Sequence, residues 1–380
     1  MRNGLPVLDA DRHVIEPIEI WKEYLEARWR DGAPYLESVA ITEPLPERLA
    51  RLGNRGLVPL PPRMMIDGEP VWQKFSERAE LDMAWTLFHR PGAMALGMDP
   101  DAQLRDMDAT GIDAAWMFPS FAGYLVANDR LEAPRAEAFA RAYNRWLEDF
   151  CARDPARLNG VGLIARHDPT TMVDQLEAVV HRGWQAVVLR PNPIQGRRLS
   201  DPSMEPFWDA CGALGVAIAI HEGAHARVPT AGADRFDTHF GQIICSHPME
   251  QMLAMLTLIE GGVLGRHRGL RIAFLEAGCG WLPYWLWRMD DMYHRFGWEV
   301  AANVPMKPSD LVRQQCFIGI EPGEPGLTTA LEMAGDCLIF GSDFPHPDHD
   351  PDLLAGILDA TPEDAQRRVL FDNTARLFGW

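Results

Sequence analysis

The chain has 380 residues, 47% of them hydrophobic and 24% charged, an ordinary globular composition that excludes wholesale disorder. Fifty-four acidic against 36 basic residues give a formal charge of −18, so there is no electrostatic case for nucleic acid or an anionic membrane as a partner. The longest apolar runs, Ala213–Ile220 and Met252–Ile259, fall far short of a bilayer span, and the N-terminus has no apolar core or cleavage site, so neither a membrane helix nor a signal peptide is expected. The six cysteines form no Cys-x-x-Cys pair and read as buried thiols of a cytoplasmic chain.

In chain order, the first strand is expected from Pro6–Leu8 into Asp9-Ala10-Asp11. Further strands follow at Ile112–Pro119, Gly160–Ile164, Trp184–Leu189, Val216–His221, Leu270–Glu276, Cys316–Ile320 and Cys337–Asp343. Most are apolar throughout, as parallel strands covered on both faces should be. Helical spacing marks Ala133–Cys151, Thr170–His181, Met204–Leu214, Met249–Leu264 after Pro248, Trp281–Phe296, and a last helix from Pro362. Eight strands alternating with helices predict an α/β fold, a (β/α)₈ TIM barrel in a single domain over 1–380. The Pro- and Gly-rich stretch 34–100, with a turn-like Asp67-Gly68, is expected to be an insertion after strand one, either a lid or an oligomer contact.

Metal-binding side chains collect where apolar runs end. Asp11 and His13 follow the first strand, His221 ends the fifth, Glu276 the sixth and Asp343 the eighth. In barrel enzymes the chemistry sits at those C-terminal strand ends. Asp11 and His13 are two apart, so an extended chain points both to one face. With His221 and Asp343 they offer two nitrogen and two oxygen donors, a set suited to Zn²⁺, Fe²⁺ or Mn²⁺. Taken singly, each could be a cap or a satisfied core residue; the joint placement is what points to a shared site. Surplus histidines at 225, 239, 247 and 346 leave room for two metals rather than one. Arg190, just past strand four, suits either a substrate carboxylate or a neighbouring acid. The Trp281–Trp287 run is apolar all round and reads as core or subunit contact.

The stretch Asp9-Ala10-Asp11-Arg12-His13-Val14-Ile15-Glu16-Pro17, the His221 strand and Gly341-Ser342-Asp343-Phe344-Pro345-His346 together resemble the amidohydrolase superfamily. The resembling branch is the amidohydrolase-related group that includes aminocarboxymuconate-semialdehyde decarboxylase. That resemblance implies a metal-bearing barrel that hydrolyses or non-oxidatively decarboxylates a small carboxylated molecule. It assigns Asp11, His13, His221 and Asp343 as metal ligands. Two positions depart from the pattern: Asp11 stands where a histidine is frequent, and Glu276 where strand six often carries a proton-handling histidine. Carboxylates in place of imidazoles make the site harder and more tolerant of Fe or Mn. Glu276 then serves as proton-transfer group or further ligand, with His247 as its catalytic partner or as a helix-start histidine bonded to backbone. Arg190 and His346 are the candidate substrate contacts, and a homo-oligomer is expected. The alternative is a non-heme iron oxygenase on the same barrel, motivated by the mixed carboxylate and histidine set; a non-catalytic binding barrel is the third reading.

Overall fold

The structure is a computed structural model that describes residues 4–38, 63–71, 92–221, 228–346, 349 and 352–380. Twelve strands lie among them: β1 (Leu8–His13), β2 (Tyr35–Glu37), β3 (Arg63–Ile66), β4 (Glu69–Pro70), β5 (Ala114–Phe118), β6 (Leu158–Gly160), β7 (Gly162–Leu163), β8 (Ala186–Leu189), β9 (Ala217–His221), β10 (Ile272–Leu275), β11 (Cys316–Ile320) and β12 (Leu338–Phe340). Parallel ladders join β1–β5–β6 and, separately, β7 through β12 in sequence order. β6 and β7 are one barrel strand interrupted at Val161, whose N–H donates to Met117 O at 3.2 Å.

The last seam, between β12 and β1, has no ladder. It is spanned just beyond β12, where Asp343 N donates to Asp11 O at 2.8 Å and His13 N to Phe344 O at 2.8 Å. Gly341 permits this approach, because a Cβ there would lie 2.5 Å from the Asp11 Cβ. Eight parallel strands therefore follow one another around the (β/α)₈ barrel. β5, β8, β9 and β10 are buried at every residue, as expected for a sheet lined inside by side chains and outside by helices.

Three expectations change. First, Asp11 and His13 belong to β1 itself rather than following it. Their strand continues because β5 supplies ladder partners as far as Phe118, with a register shift between Asp9 and Arg12. Second, the helix expected from Met249 begins ten residues earlier, as His239–Glu260, with Pro248 inside it. The Thr238 side chain caps it by accepting from Gly241 N at 3.1 Å, and this stable start outweighs the one backbone bond that Pro248 removes. Third, the helix Leu282–Phe296 is amphipathic rather than apolar all round: Leu282 and Leu286 are buried while Tyr284 and Trp287 are exposed.

Within 34–100, the described residues form a small antiparallel sheet, β2–β3–β4. Its turn is Asp67-Gly68, both at positive φ (52° and 79°) as a tight two-residue hairpin requires. Met64, Ile66 and Val71 pack into the main core. Arg135, on the helix Ala133–Cys151, pairs with Asp67 at 2.7 Å and anchors the sheet to the barrel's flank. The chain returns to the barrel through Ala93–Gly97, where Ile15 N donates to Gly97 O at 3.0 Å.

Candidate metal centre

β1 has the sequence LDADRH and is buried at all six positions. Four charged or polar groups in one buried strand require compensation. Arg12, fully buried, is held by Gln103 Oε1 at 2.5 Å, Asp106 at 2.6 Å and Asp9 at 3.5 Å, and its guanidinium stacks 4.1 Å from the Phe344 ring centroid. Asp9 Oδ1 also accepts from Ser342 N at 2.8 Å. These contacts lock strand one to strand eight beneath the site.

Above that layer the predicted ligands converge. His13 Nε2 lies 3.1 Å from His221 Nε2, 3.4 Å from Asp11 Oδ1 and 3.3 Å from Asp343 Oδ1, while His221 Nε2 is 3.4 Å from Asp11 Oδ1. His13 Nδ1 donates to Pro119 O at 3.1 Å, which leaves its lone pair on Nε2, directed into this cluster. Burial, with His346 and His221 nearby, lowers its pKa to about 4, so the ring stays neutral at physiological pH. Burial also opposes ionisation of Asp11, but the charge of His221 and bonds from both imidazoles outweigh it and hold the carboxyl well below its usual range.

Asp11 Oδ1 and Asp343 Oδ1 are buried, and their near neighbours are ring nitrogens, of His13 and His221 for Asp11 and of His13 and His346 for Asp343. Buried carboxylate oxygens set among imidazole nitrogens, with few other polar partners, fit a divalent cation. Asp11, His13 and His221 form one triad with metal-ligand spacing, and His13, Asp343 and His346 form another. His13 Nδ1 is committed to Pro119 O, so the two triads meet at His13 Nε2.

The remaining candidates surround it. Glu276 sits one residue past β10 and Asp343 three past β12, both in the left-handed region at φ 58° and 52°. Such a conformation costs a non-glycine residue about 1 kcal/mol, and here it turns each carboxylate toward the barrel mouth. Glu276 Oε2 is 3.4 Å from His221 Nδ1 and Oε1 is 3.8 Å from His247 Nε2. Burial pushes its carboxyl up to about 8, against the pull of His221 and with help from Asp343. His247, placed within a helix rather than at its start, thus meets Glu276. Gln251, one turn on, donates to Ile220 O at 3.0 Å and Leu275 O at 2.9 Å, pinning the strand ends that precede His221 and Glu276. His346 Nδ1 is 2.7 Å from Asp343 Oδ1. Arg190 joins the pocket wall, its guanidinium 5.5 Å from the Tyr124 ring centroid. His225 lies outside the described residues.

The pocket over His13, His221 and His346 encloses about 560 Å³, part of it open to solvent, with walls from Tyr124, Leu163, Ile164, Val188 and Ile194. Arg166, which the sequence reading passed over, also lines it. That residue is buried, and its partners among the described residues are three backbone carbonyls, of Arg190, Asn192 and Arg197. Its signal was available: like Arg190, it is a cation just past a strand end.

Fold and site together define a barrel enzyme with a candidate metal centre at the C-terminal strand ends. A family model described as amidohydrolase (Amidohydro_2) matches residues 66–380, and the chain belongs to that family. A 2-amino-3-carboxymuconate-6-semialdehyde decarboxylase of Dictyostelium discoideum is 23% identical over 66% of this chain and 67% of its own. A gamma-resorcylate decarboxylase of Polaromonas sp. (strain JS666) is 25% identical over 73% of this chain and 86% of its own. Among solved structures, a 5-carboxyvanillate decarboxylase of Novosphingobium aromaticivorans, complexed with manganese and 4-hydroxy-3-methoxy-5-nitrobenzoic acid, superimposes with a TM-score of 0.68 at 17% identity over 100% of this chain and 97% of that one.

Proposed function

We propose that the protein is a metal-dependent, non-oxidative decarboxylase of a small aromatic carboxylate. The observation that carries this reading is the gathering of Asp11, His221 and Asp343 around His13, with buried carboxylate oxygens set against imidazole nitrogens, beneath a pocket with apolar walls and two cationic residues. The relatives named above are decarboxylases, and they lend no support to the oxygenase reading.

Asp11, His13, His221 and Asp343 would hold one divalent ion, and Mn²⁺ suits this oxygen-rich set. When bound, the ion supplies fixed positive charge that orients the substrate carboxylate. Arg190 and Arg166 make the pocket attractive to anions, and the apolar walls accept a flat ring. His346 orients Asp343 and borders the substrate space. Glu276, held protonated by burial, donates its proton to the carboxyl-bearing carbon. The bond from that carbon to the carboxylate then breaks, its electron pair returns to the ring, and CO₂ leaves. His247 relays a proton from solvent back to Glu276. Hydrolysis would need the same centre to present water instead, and Glu276, as a protonated acid, serves decarboxylation better.

The return of Ala93–Gly97 to the mouth beside Ile15 supports a lid role for the 34–100 insertion. A homo-oligomer and a cytoplasmic location belong to the same reading; the exposed Trp287 and Trp298 favour the first and the six free thiols the second. No described helix is long and apolar enough to cross a membrane.

The experiment is elemental analysis followed by turnover of a panel of hydroxybenzoates, with CO₂ measured under strict anaerobiosis. One equivalent of metal per chain and oxygen-independent CO₂ release are expected. Full activity in metal-free protein, or product formation that consumes O₂, would sink the reading. Glu276→Gln is expected to lower kcat by about 10²–10⁴-fold, the range for loss of a general acid, while metal content stays at wild-type level. Unchanged kcat would remove Glu276 from the proton path.

A further inference from the structure

Resting on the metal-centre reading above, we infer that Glu16 is a positioning residue that sets the orientation of both His13 and His346 without touching either. Glu16 lies three residues past His13 and is 2% exposed. Its Oε1 accepts from Ser120 N at 3.0 Å and Ala122 N at 3.2 Å, and its Oε2 from Phe121 N at 2.9 Å. Three consecutive amides are thereby gathered on one carboxylate from the connection that follows β1. Ser120, which precedes the helix Phe121–Val126, makes no side-chain cap of its own. Glu16 takes over that task, and the Ser120 side chain is released for another.

The turn held in this way presents two acceptors to the site. Pro119 O receives the His13 Nδ1 proton at 3.1 Å and so selects the tautomer whose lone pair faces the metal cluster. The Ser120 hydroxyl donates to Val14 O at 2.8 Å, so its lone pair accepts the Nε2 proton of His346 at 2.8 Å. His346 is then fixed between Ser120 and Asp343, 4.0 Å from the His13 ring centroid. A small rotation of the 119–122 turn would move both acceptors together. The partner that orients a metal-bound imidazole typically governs affinity by about 10–100-fold; here one carboxylate controls that contact at His13 and, with it, the hydroxyl that holds His346 beside Asp343.

The simpler role for Glu16 is helix capping alone, and Asp290 provides the control. It accepts from Ser309 N at 3.0 Å and Ser309 Oγ at 2.7 Å at the start of the helix Pro308–Gln315, and no bond joins it to the 119–122 turn. The test measures Mn²⁺ affinity by equilibrium dialysis, and Tm, for wild type, Glu16→Ala, Glu16→Gln and Asp290→Ala. Glu16→Ala is expected to weaken Mn²⁺ binding by about 10–100-fold. Glu16→Gln, which keeps one acceptor oxygen, should weaken it less but in the same direction. Asp290→Ala should lower Tm and leave Mn²⁺ affinity at the wild-type value. Wild-type affinity in Glu16→Ala, with a Tm loss like that of Asp290→Ala, overturns the inference. If Glu16→Ala does not fold, wild-type affinity in Glu16→Gln overturns it. Wild-type protein that binds no Mn²⁺ fails differently, since it removes the metal-centre reading itself.

Discussion

His13→Ala is expected to abolish stoichiometric metal and to lower kcat/KM by at least roughly a thousandfold, since a metal's charge stabilisation is worth several kcal/mol and each 1.36 kcal/mol is a factor of ten. His13 is the member common to both metal-ligand triads, and its Nδ1 is committed to Pro119 O, so Nε2 is the atom on which both depend. Removing it takes the shared member from both triads and leaves Asp11 with His221, and Asp343 with His346, as separate pairs. His221→Ala should lose less, because the triad of His13, Asp343 and His346 would remain. Plasma mass spectrometry of dialysed protein gives metal per chain, and initial rates give the activity. A His13→Ala protein that retains one tightly bound metal and near-normal turnover would place the centre elsewhere.

Arg12→Met is expected to destabilise the fold by about 3–5 kcal/mol, the range for breaking a buried ion pair from one side. The thioether chain keeps much of the packing, so the loss reports on charge. Asp9 and Arg12 are both fully buried, which leaves no solvent screening to weaken their interaction. The pH dependence identifies the cause. Burial raises the Asp9 carboxyl from 3.8 to about 6, against the pull of Arg12. The folded state therefore holds this proton more tightly than the unfolded chain does. Its contribution to stability is complete below about pH 4 and is lost as pH rises through about 6. Without Arg12 the carboxyl moves higher still, so the gap between variant and wild type should widen as pH rises from 4 to 7. Urea unfolding across that range measures it. A gap of equal size at every pH would assign the loss to packing instead.

The barrel and its mouth were legible to different depths. β11 was read at its observed bounds, and the helix Ala133–Cys151 likewise, because each carries an unbroken periodicity ended by a clear stop. The four proposed ligands were legible because each stands at the polar end of an apolar run, and the barrel topology turns such ends into one ring. The helix from His239 was misplaced because Pro248 looks like a boundary in one dimension, whereas a capped helix with tertiary packing absorbs it. β1 was cut short because Asp9, Asp11, Arg12 and His13 look like loop residues. They remain in a strand because Gln103, Asp106 and Ser342, distant in sequence, satisfy them.

Glu16 and Arg166 make the same point at the site. Glu16 lay inside the motif that carried the family resemblance, yet its partners are backbone amides more than a hundred residues away, and amides have no residue signature. Arg166 resembled any surface cation until the chain folded over it. Composition and hydrophobic period determined the class of fold and which residue types stand at the strand ends, since both depend on local chemistry. Only the tertiary structure decided that His13 turns Nε2 inward, that two triads share that nitrogen, and that Glu276 meets His247, because each depends on partners that approach from other elements of the barrel.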